Sequence, residues 1–226
     1  MVKKYKIILR QNLQTQIFTD LANSSGLVTQ SGKTTIGIYS LVKYTSGSEG
    51  KIPLNDTEFK DILRVAKDAF GPFMSESEVE KVVIPNNLLW IASRDNTVVG
   101  FTASSYKHDT IYLAAAAIVI SEQRKGLYHT FNRLRIEDGL NKNFSIFTTR
   151  TQNPNVERGI THALEVLKSE HLISGYKIKH DIIPGVYGRT LTRTVPRSYN
   201  EDINQTFSVL NYERGDAFYI TFSVTK

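Results

Sequence analysis

Hydrophobic residues recur every three or four positions in four stretches of the chain, a spacing that is typical of helices with one buried face. These helices are expected to begin near residues 55, 75, 127 and 153. The first two start with a capping box, in which Asn55 pairs with Glu58 and Ser75 pairs with Glu78. These capping signals mark where both helices begin.

Other stretches show the alternation or the short apolar runs of β-strands. Strands are expected at residues 5–10, 34–44, 88–93, 98–106, 110–120 and 144–150, with a last one near residue 220. The last strand places Phe218, Ile220, Phe222 and Val224 on one face. The close spacing of the three strands between residues 88 and 120 predicts an antiparallel meander.

The order of these elements predicts the fold class. From residue 55 onward it is helix, helix, three strands, helix, strand, helix and further strand. We expect a mixed α/β fold in which helices flank a largely antiparallel central sheet. A Gly/Ser-rich stretch at 45–51 precedes the first helix, so residues 1–50 are interpreted as an N-terminal β-containing extension. Residues 51–226 then form one domain that ends in a β segment.

Composition narrows the classes of function. The chain has 226 residues, no cysteine and a formal net charge of +6. Without cysteine there is neither a thiolate metal site nor a cysteine nucleophile, and no metal is expected. No apolar stretch approaches the roughly 18 to 20 residues that cross a bilayer, and a secretory signal is not supported. We therefore expect a soluble, cytoplasmic protein without a membrane partner. Its basic charge favours phosphate-bearing or polyanionic partners.

A strand-to-helix junction at Gln123–Tyr128 carries the clearest chemical signal. The apolar run at 110–120 ends just before it, and the next helix is expected to begin after Gly126. The first N–H groups of a helix lack partners, and the helix dipole adds about half a positive charge there. Gly126 lets a ligand approach the backbone, while Arg124 and Lys125 add full charges. The junction is therefore interpreted as a site for phosphate or pyrophosphate.

At this junction the sequence resembles the GNAT superfamily of acyl-CoA N-acyltransferases. The signature of that family is Q/R-x-x-G-x-G/A, between its fourth strand and third helix. The corresponding residues here are Gln123, Arg124, Lys125, Gly126, Leu127 and Tyr128. The first four positions match, whereas Tyr128 stands where the family has Gly or Ala. The resemblance covers roughly residues 52–176 and includes the order of the elements.

The resemblance implies that acetyl-CoA, or another acyl-CoA, binds between the fourth and fifth strands. The N–H groups of residues 123–128 would hold the pyrophosphate, and the backbone at Ile118 and Ile120 would pair with the pantetheine arm. Asn155 corresponds to an asparagine near the start of the family's fourth helix that contacts the cofactor. Asn153 or Asn155 is also expected to cap this helix.

Acyl transfer requires a neutral amine, a base that takes its proton and an acid that protonates the departing thiolate. Because there is no cysteine, direct transfer in a ternary complex is expected. In many GNAT members the acid is a tyrosine four residues before a Gly-Phe pair. Gly175 and Tyr176 resemble that pair, so His171 takes the acid position, although it also continues the apolar stripe from Leu167. Proton acceptors selected by residue type alone are His162, His108 and Glu122.

Two alternatives are considered beside the acyltransferase. Gly32, Lys33 and Thr34 resemble the tail of a P-loop, but Leu27 stands where the motif needs glycine, which favours a hairpin turn. Tyr128 and the missing tyrosine in the fourth helix favour instead a non-catalytic basic α/β protein that binds nucleic acid or an acidic partner. Interleaved basic and aromatic residues at 187–199 have the composition to contact phosphates and stack on bases, although an exposed basic loop or hairpin is the commoner interpretation of such a stretch. The favoured function is transfer of an acetyl or similar acyl group from acyl-CoA to a primary amine of a small molecule or protein.

Overall fold

The computed structural model describes residues 32–192 and 194–226. The strands in these ranges are β1 (Gly32–Ile36), β2 (Tyr39–Thr45), β3 (Leu88–Arg94), β4 (Thr97–Lys107), β5 (Thr110–Ile118), β6 (Ile146–Thr151), β7 (Gly175–Ile183) and β8 (Ala217–Thr225). The helices are α1 (Asp56–Phe70), α2 (Glu76–Val83), α3 (Leu127–Asn141), α4 (Pro154–Ser169) and α5 (Glu201–Phe207). A single 3-10 turn, Ile120–Glu122, lies between β5 and α3.

All eight strands belong to one sheet, in the order β1-β2-β3-β4-β5-β6-β8-β7. Every neighbouring pair is antiparallel except β5 and β6, which run parallel because α3 crosses over between them. This arrangement confirms the predicted fold class, a mixed α/β fold with a largely antiparallel central sheet flanked by helices. The meander of β3, β4 and β5 is also confirmed.

Helices cover both faces of the sheet. On β2, Tyr44 donates a hydrogen bond to Glu58 of α1 (2.5 Å), whereas its neighbour Lys43 pairs with Asp138 of α3. Successive side chains of a strand point to opposite faces, so α1 and α3 lie on opposite sides of the sheet. Since α2 packs on α1 and α4 packs on α3, one face carries an α1–α2 layer and the other an α3–α4 layer.

The buried hydrophobic side chains form two clusters. One surrounds β2 to β5 with α1 and α2 and includes Phe101, and the other surrounds β6, β8 and α4 and includes Phe147. α3 contributes to both, with Phe131 in the first cluster and Ile136 in the second. The sheet therefore has two halves, which α3 and the β5–β6 contact hold together.

The helix starts follow from the local sequence. Both predicted capping boxes form, at Asn55 with Glu58 on α1 and at Ser75 with Glu78 on α2. α3 begins directly after Gly126, as the sequence predicts. α4 is capped by the side chain of Asn153, one of the two alternatives. None of the helices in the described ranges is both long enough and apolar enough to cross a lipid bilayer.

The structure corrects the prediction of one strand at 34–44. Two strands, β1 and β2, replace it, and Gly37 and Ile38 form the turn between them, with Gly37 at a φ of 60° that glycine adopts readily. Residues 32–36 are strand rather than a phosphate-binding loop before a helix, which argues against the P-loop. β2 pairs with β3 along its length, although the boundary at residue 50 stays a prediction. The strand predicted at 5–10 lies outside the described residues.

Candidate functional site

β5 and β6 separate soon after they begin to pair. Their parallel ladder comprises three register pairs and ends at Tyr112 opposite Thr148, after which the hydroxyl of Thr149 still donates to the carbonyl of Leu113 (3.1 Å). β5 continues to Ile118 and β6 to Thr151. Between Tyr112 and Ala115, β5 has one residue more than β4, a β-bulge that bends the strand. A gap, called the β5–β6 gap below, therefore opens at the carboxyl ends of the two strands.

Within the part of the chain that the structure describes, the turn beyond β5 presents backbone N–H groups without partners. No described residue accepts a hydrogen bond from the N–H groups of residues 124–129. Arg124 (φ 64°) and Gly126 (φ 87°) both adopt left-handed backbone conformations, and Gly126 caps α3 without a side-chain hydrogen bond. Gln123, Arg124, Lys125 and Gly126 are all exposed. Consecutive N–H groups at a helix start suit an anion, as the junction predicts.

A buried carboxylate organises this turn. Glu122 is 7% exposed and accepts hydrogen bonds from Lys125 (3.0 Å), Arg94 (3.0 Å) and the hydroxyl of Tyr39 (2.8 Å). The bonds from Lys125 and Tyr39 lower the pKa of Glu122. Glu122 is therefore a weak proton acceptor, and its place in the site is to fix Lys125 and the turn.

The two residues predicted to pair with the pantetheine arm already have partners. The N–H of Ile120 donates to Asp68 of α1 (2.6 Å), and the carbonyl of Ile118 accepts from the side chain of Gln123 (3.0 Å). Ile118 also lies opposite Gly100 in the β4–β5 ladder. A ligand strand at these positions would have to replace the bonds to Asp68 and Gln123.

The last two residues of the motif point into the protein. Leu127 is 1% exposed and belongs to the hydrophobic core. Tyr128, which replaces the small residue of the GNAT signature, packs its ring on Gly159 of α4, where an added Cβ would lie 2.3 Å from a ring carbon. Burial raises the pKa of the Tyr128 hydroxyl. The glycine on α4 thus supplies the space that the signature's Gly or Ala would otherwise leave.

α3 also carries a buried cation. Arg135 is 2% exposed and donates hydrogen bonds to the side chain of Asn132 and to the carbonyl of Ala115 (3.5 Å). No carboxylate pairs with Arg135 among the described residues, and its Nε has no acceptor there. Burial lowers its pKa. Nothing in the sequence indicated that Arg135 is buried, because an arginine on an amphipathic helix is normally expected to face solvent.

Asn155 lies at the start of α4, next to the end of β6. Its side chain donates to the Asn153 side chain (3.2 Å) and to the carbonyl of Arg197 (2.8 Å). Asn153 rather than Asn155 is the cap, so Asn155 holds the 194–199 segment close to α4.

His171 does not reach the β5–β6 gap. α4 ends at Ser169, and His171 follows it, exposed and in a left-handed conformation (φ 60°). It is therefore not part of the apolar stripe, and its helix places it roughly 24 Å from Asn155. This position argues against the predicted acid role.

The other histidines selected by residue type are scattered. His108 is exposed in the turn between β4 and β5, at the opposite end of β5 from the gap. His162 lies on α4 with its ring 4.4 Å from that of His129 on α3. Burial, His162 and Arg158 lower the pKa of His129. These histidines do not converge on one point.

Arg150, which sequence reasoning missed, lies on β6 two residues beyond its last pair with β5. Its Nε is buried and has no acceptor among the described residues. The only sequence signal was an arginine inside a strand otherwise made of Ile, Phe and Thr.

Comparison with known proteins identifies the fold. No protein-family model and no curated protein matches the sequence. The ribosomal-protein-S18-alanine N-acetyltransferase from Escherichia coli matches with a TM-score of 0.50 and 13% identity, over 82% of this chain and 95% of that one. A protein from Desulfovibrio desulfuricans, described as a GNAT-family acetyltransferase, matches with a TM-score of 0.50 and 11% identity, over 81% and 98%. A GNAT-family acetyltransferase from Elizabethkingia anophelis with acetyl-CoA bound has a TM-score of 0.48, 16% identity and coverage of 82% and 98%.

The element order and the first two of these matches identify the fold. The chain has the fold of the GNAT acyl-CoA N-acyltransferases, as its junction motif predicts. At 11–13% identity the first two matches establish the fold, and the activity has to be argued from this chain's own residues.

Proposed function

We propose that the protein is an N-acyltransferase that moves an acetyl or similar acyl group from acyl-CoA to a primary amine. The observation that carries this proposal is the β5–β6 gap beside a turn with free N–H groups at residues 124–129. An extended pantetheine arm that ends in a pyrophosphate, as in coenzyme A, has the shape and charge for this pair of features.

This chain's residues hold the cofactor and leave the chemistry to the two substrates. The N–H groups of residues 124–129 and the exposed side chain of Arg124 bind the pyrophosphate. Bound acyl-CoA supplies an activated thioester. The amine nitrogen forms a bond to the acyl carbon and the C–S bond breaks. The proton that the amine nitrogen loses ends on the departing thiolate, which leaves as the thiol of coenzyme A. Because the chain has no cysteine, no thioester forms on a cysteine of the enzyme.

Calorimetric titration with acetyl-CoA and with coenzyme A tests cofactor binding. We expect saturable one-to-one binding by the wild type and about tenfold or greater weakening in Arg124→Glu, since this variant places a negative charge near the pyrophosphate. The control is Lys168→Glu, which makes the same charge change at an exposed position near the far end of α4. Equal affinity in both variants would remove the turn from the proposed site.

Release of free coenzyme A tests transfer. The chain has no cysteine, so a thiol reagent reports the product without a signal from the protein. Acetyl-CoA-dependent release that requires an added amine supports the proposal. A folded protein that binds no coenzyme A but is retained on nucleic acid in a salt-sensitive way would favour the binding-protein alternative.

A further inference from the structure

A cationic and aromatic patch lies on the face of the sheet opposite α3 and α4. Ile111 of β5 and Phe147 of β6 contact α3 at Gly139. Successive side chains of a strand point to opposite faces, so Tyr112 on β5 and Arg150 on β6 lie on the other face of the sheet. There the patch, called the acceptor patch below, comprises Lys107, Tyr112, Arg150, Tyr187 and Tyr219. The α3–α4 layer covers the other face, so a second substrate reaches the β5–β6 gap from the side of this patch.

Arg150 is the centre of the acceptor patch. It lies opposite Tyr219 in the β6–β8 ladder, and its guanidinium carbon is 5.0 Å from the ring centre of Tyr187. Tyr187 donates its hydroxyl hydrogen to the carbonyl of Arg150 (3.0 Å). Burial raises the pKa of Tyr112, and the nearby charge of Arg150 opposes that rise. Three tyrosines therefore surround one partly buried guanidinium.

No carboxylate neutralises Arg150 within the part of the chain that the structure describes, where it forms no ion pair and its Nε has no acceptor. Asp181 is the acidic residue in the same row of the sheet. It lies two strands away, behind Tyr219, and pairs with Lys179 (2.9 Å). A partly buried arginine without a counter-ion is an unused site for an anion, because its planar group binds a carboxylate through two parallel hydrogen bonds.

A second cation lies over the ring of Tyr112. The Nζ of Lys107 is 4.9 Å from the ring centre of Tyr112, and Lys107 makes no ion pair with any described residue. The patch thus carries two positive charges around Tyr112, the last β5 residue paired with β6.

The segment that contains Arg189 and Leu191, after β7, is held beside the patch by hydrogen bonds. The side chain of Gln152 donates to the carbonyl of Arg189 (3.2 Å) and accepts from the N–H of Leu191 (3.0 Å). Arg189 reaches Glu78 of α2 (3.3 Å). The segment therefore spans from the end of β6 to the α1–α2 layer and bounds the patch on that side.

We propose that the acceptor is an amine that also carries a carboxylate, which Arg150 binds, while Lys107, which lies over Tyr112, adds a more distant positive charge. This inference rests on the proposed function. Arg150 is two residues beyond the last β5–β6 pair, which is about 7 Å along the strand. In an amino acid or peptide the amine lies a few bonds from a carboxylate, so a carboxylate on Arg150 brings the amine to the gap where the thioester lies.

Matched acceptors test the inference. Each pair contains the free acid and the amide of the same amine: L-alanine with L-alaninamide, L-phenylalanine with its amide, and glycylglycine with glycylglycinamide. Coenzyme A release is measured at fixed acetyl-CoA, and kcat/KM is compared within each pair. We expect the free acid to be favoured by about tenfold or more in at least one pair, as for a hydrogen-bonded charge pair. Amides hold more of their α-amine unprotonated at neutral pH, so this bias works against the expected result.

Variants assign the preference to the patch. Arg150→Gln should reduce the acid-to-amide ratio to about one, and Arg150→Lys should retain part of it, because the charge remains without the planar fork. Arg158→Gln is the matched control, since Arg158 lies over Tyr199 (5.4 Å) as Arg150 lies over Tyr187. Lys107→Gln should reduce the ratio by a smaller factor, whereas Lys142→Gln, from the Lys142–Tyr106 pair (4.7 Å), should leave it unchanged.

The outcomes separate this inference from the proposed function. If the folded wild-type protein does not bind acetyl-CoA, the proposed acyltransferase function itself is contradicted. If acetyl-CoA binds, three results overturn the carboxylate acceptor: amides as good as acids, a preference that survives in Arg150→Gln, or no transfer to any member of the panel. A preference lost in Arg150→Gln, with unchanged acetyl-CoA affinity and unfolding midpoint, supports it.

Discussion

The two halves of the sheet differ in how their faces are covered. In the first half, β4 has seven consecutive buried residues, Val99–Ser105, because α1 and α3 pack on its two faces. In the second half, β7 has no buried residue, and Lys177, Lys179 and Asp181 along one side of it are exposed. The closed half fixes the turn before α3, whereas the open half leaves Arg150 and Tyr219 accessible. One fold thus combines a covered side at the proposed cofactor turn with an open side at the proposed acceptor patch.

The largest expected effects come from the two cores. Phe147→Ala and Phe101→Ala each remove a buried ring, and each should cost about 3–5 kcal/mol of unfolding free energy. Because α3 contributes to both clusters, we expect one cooperative transition in each variant, with an unchanged dependence on denaturant. Urea unfolding followed by circular dichroism measures both the unfolding free energy and its dependence on urea concentration.

Phe73→Ala is the matched control, since Phe73 is 80% exposed and its loss should change stability by less than about 0.5 kcal/mol. A second transition that appears only in Phe147→Ala would contradict the coupling of the halves through α3.

A smaller effect is expected where α3 meets α4. In Gly159→Ala the new Cβ would lie 2.3 Å and 2.6 Å from ring carbons of Tyr128, so the ring must move. The overpacking cost of about 1–3 kcal/mol exceeds the gain of about 1 kcal/mol in helix propensity. Thermal unfolding should therefore show a lower midpoint. Gly47→Ala, with no atom within 4 Å of the new Cβ, should leave the midpoint nearly unchanged.

Adding Tyr128→Ala to Gly159→Ala tests the cause of that loss. If the clash with the ring is the cause, Gly159→Ala should cost much less in the Tyr128→Ala background than in the wild type. Equal costs in both backgrounds would show that Tyr128 is not the residue that requires glycine at 159.

The smallest expected effect concerns Asp216 and depends on pH. Asp216 is 2% exposed and accepts hydrogen bonds from Arg214 and from the N–H groups of Gly185 and Asn211. The bond from Arg214 contributes most to holding the pKa of Asp216 far below its usual range. A depressed folded-state pKa stabilises the protein above the unfolded pKa of about 4, and this contribution is lost as the pH falls further.

Asp216→Asn should therefore be less stable than the wild type at pH 7, and the difference should shrink as the pH falls below about 4. Denaturant unfolding at several pH values between 7 and 3 measures it. Asp181→Asn, in an exposed ion pair with Lys179, should show almost no difference at any pH. A constant gap between wild type and Asp216→Asn down to pH 3 would contradict the assigned pKa.

Much of the fold was readable because its signals are local. The capping boxes at Asn55 and Ser75 and the alternation in β8 each need only a few neighbouring residues. The turn at Gly37 and Ile38 was missed because it lacks the Asn-Gly or Asp-Gly pair of a typical hairpin. The seven-residue α5 was missed because a helix that short has little periodicity.

The candidate site was readable only where it is local in sequence. The turn at 123–128 leads directly into α3 after Gly126, as its motif predicts, although its role in binding stays a prediction. The cytoplasmic location also stays a prediction. His171 was assigned by counting back from Gly175, which assumed that α4 continues, whereas the helix ends at Ser169. The contact between Arg150 and Tyr187 joins residues 37 positions apart, and no local pattern predicts such a contact.

The position of β8 has a consequence for synthesis on the ribosome. β8 lies between β6 and β7, and β7 pairs with no other strand of the described sheet. Residues 184–216 must be translated after β7 before β8 begins to emerge, which takes roughly 2–7 s at ~5–20 residues per second. During that interval the nascent chain carries two strands with unsatisfied edges, and such edges are templates for pairing with another chain.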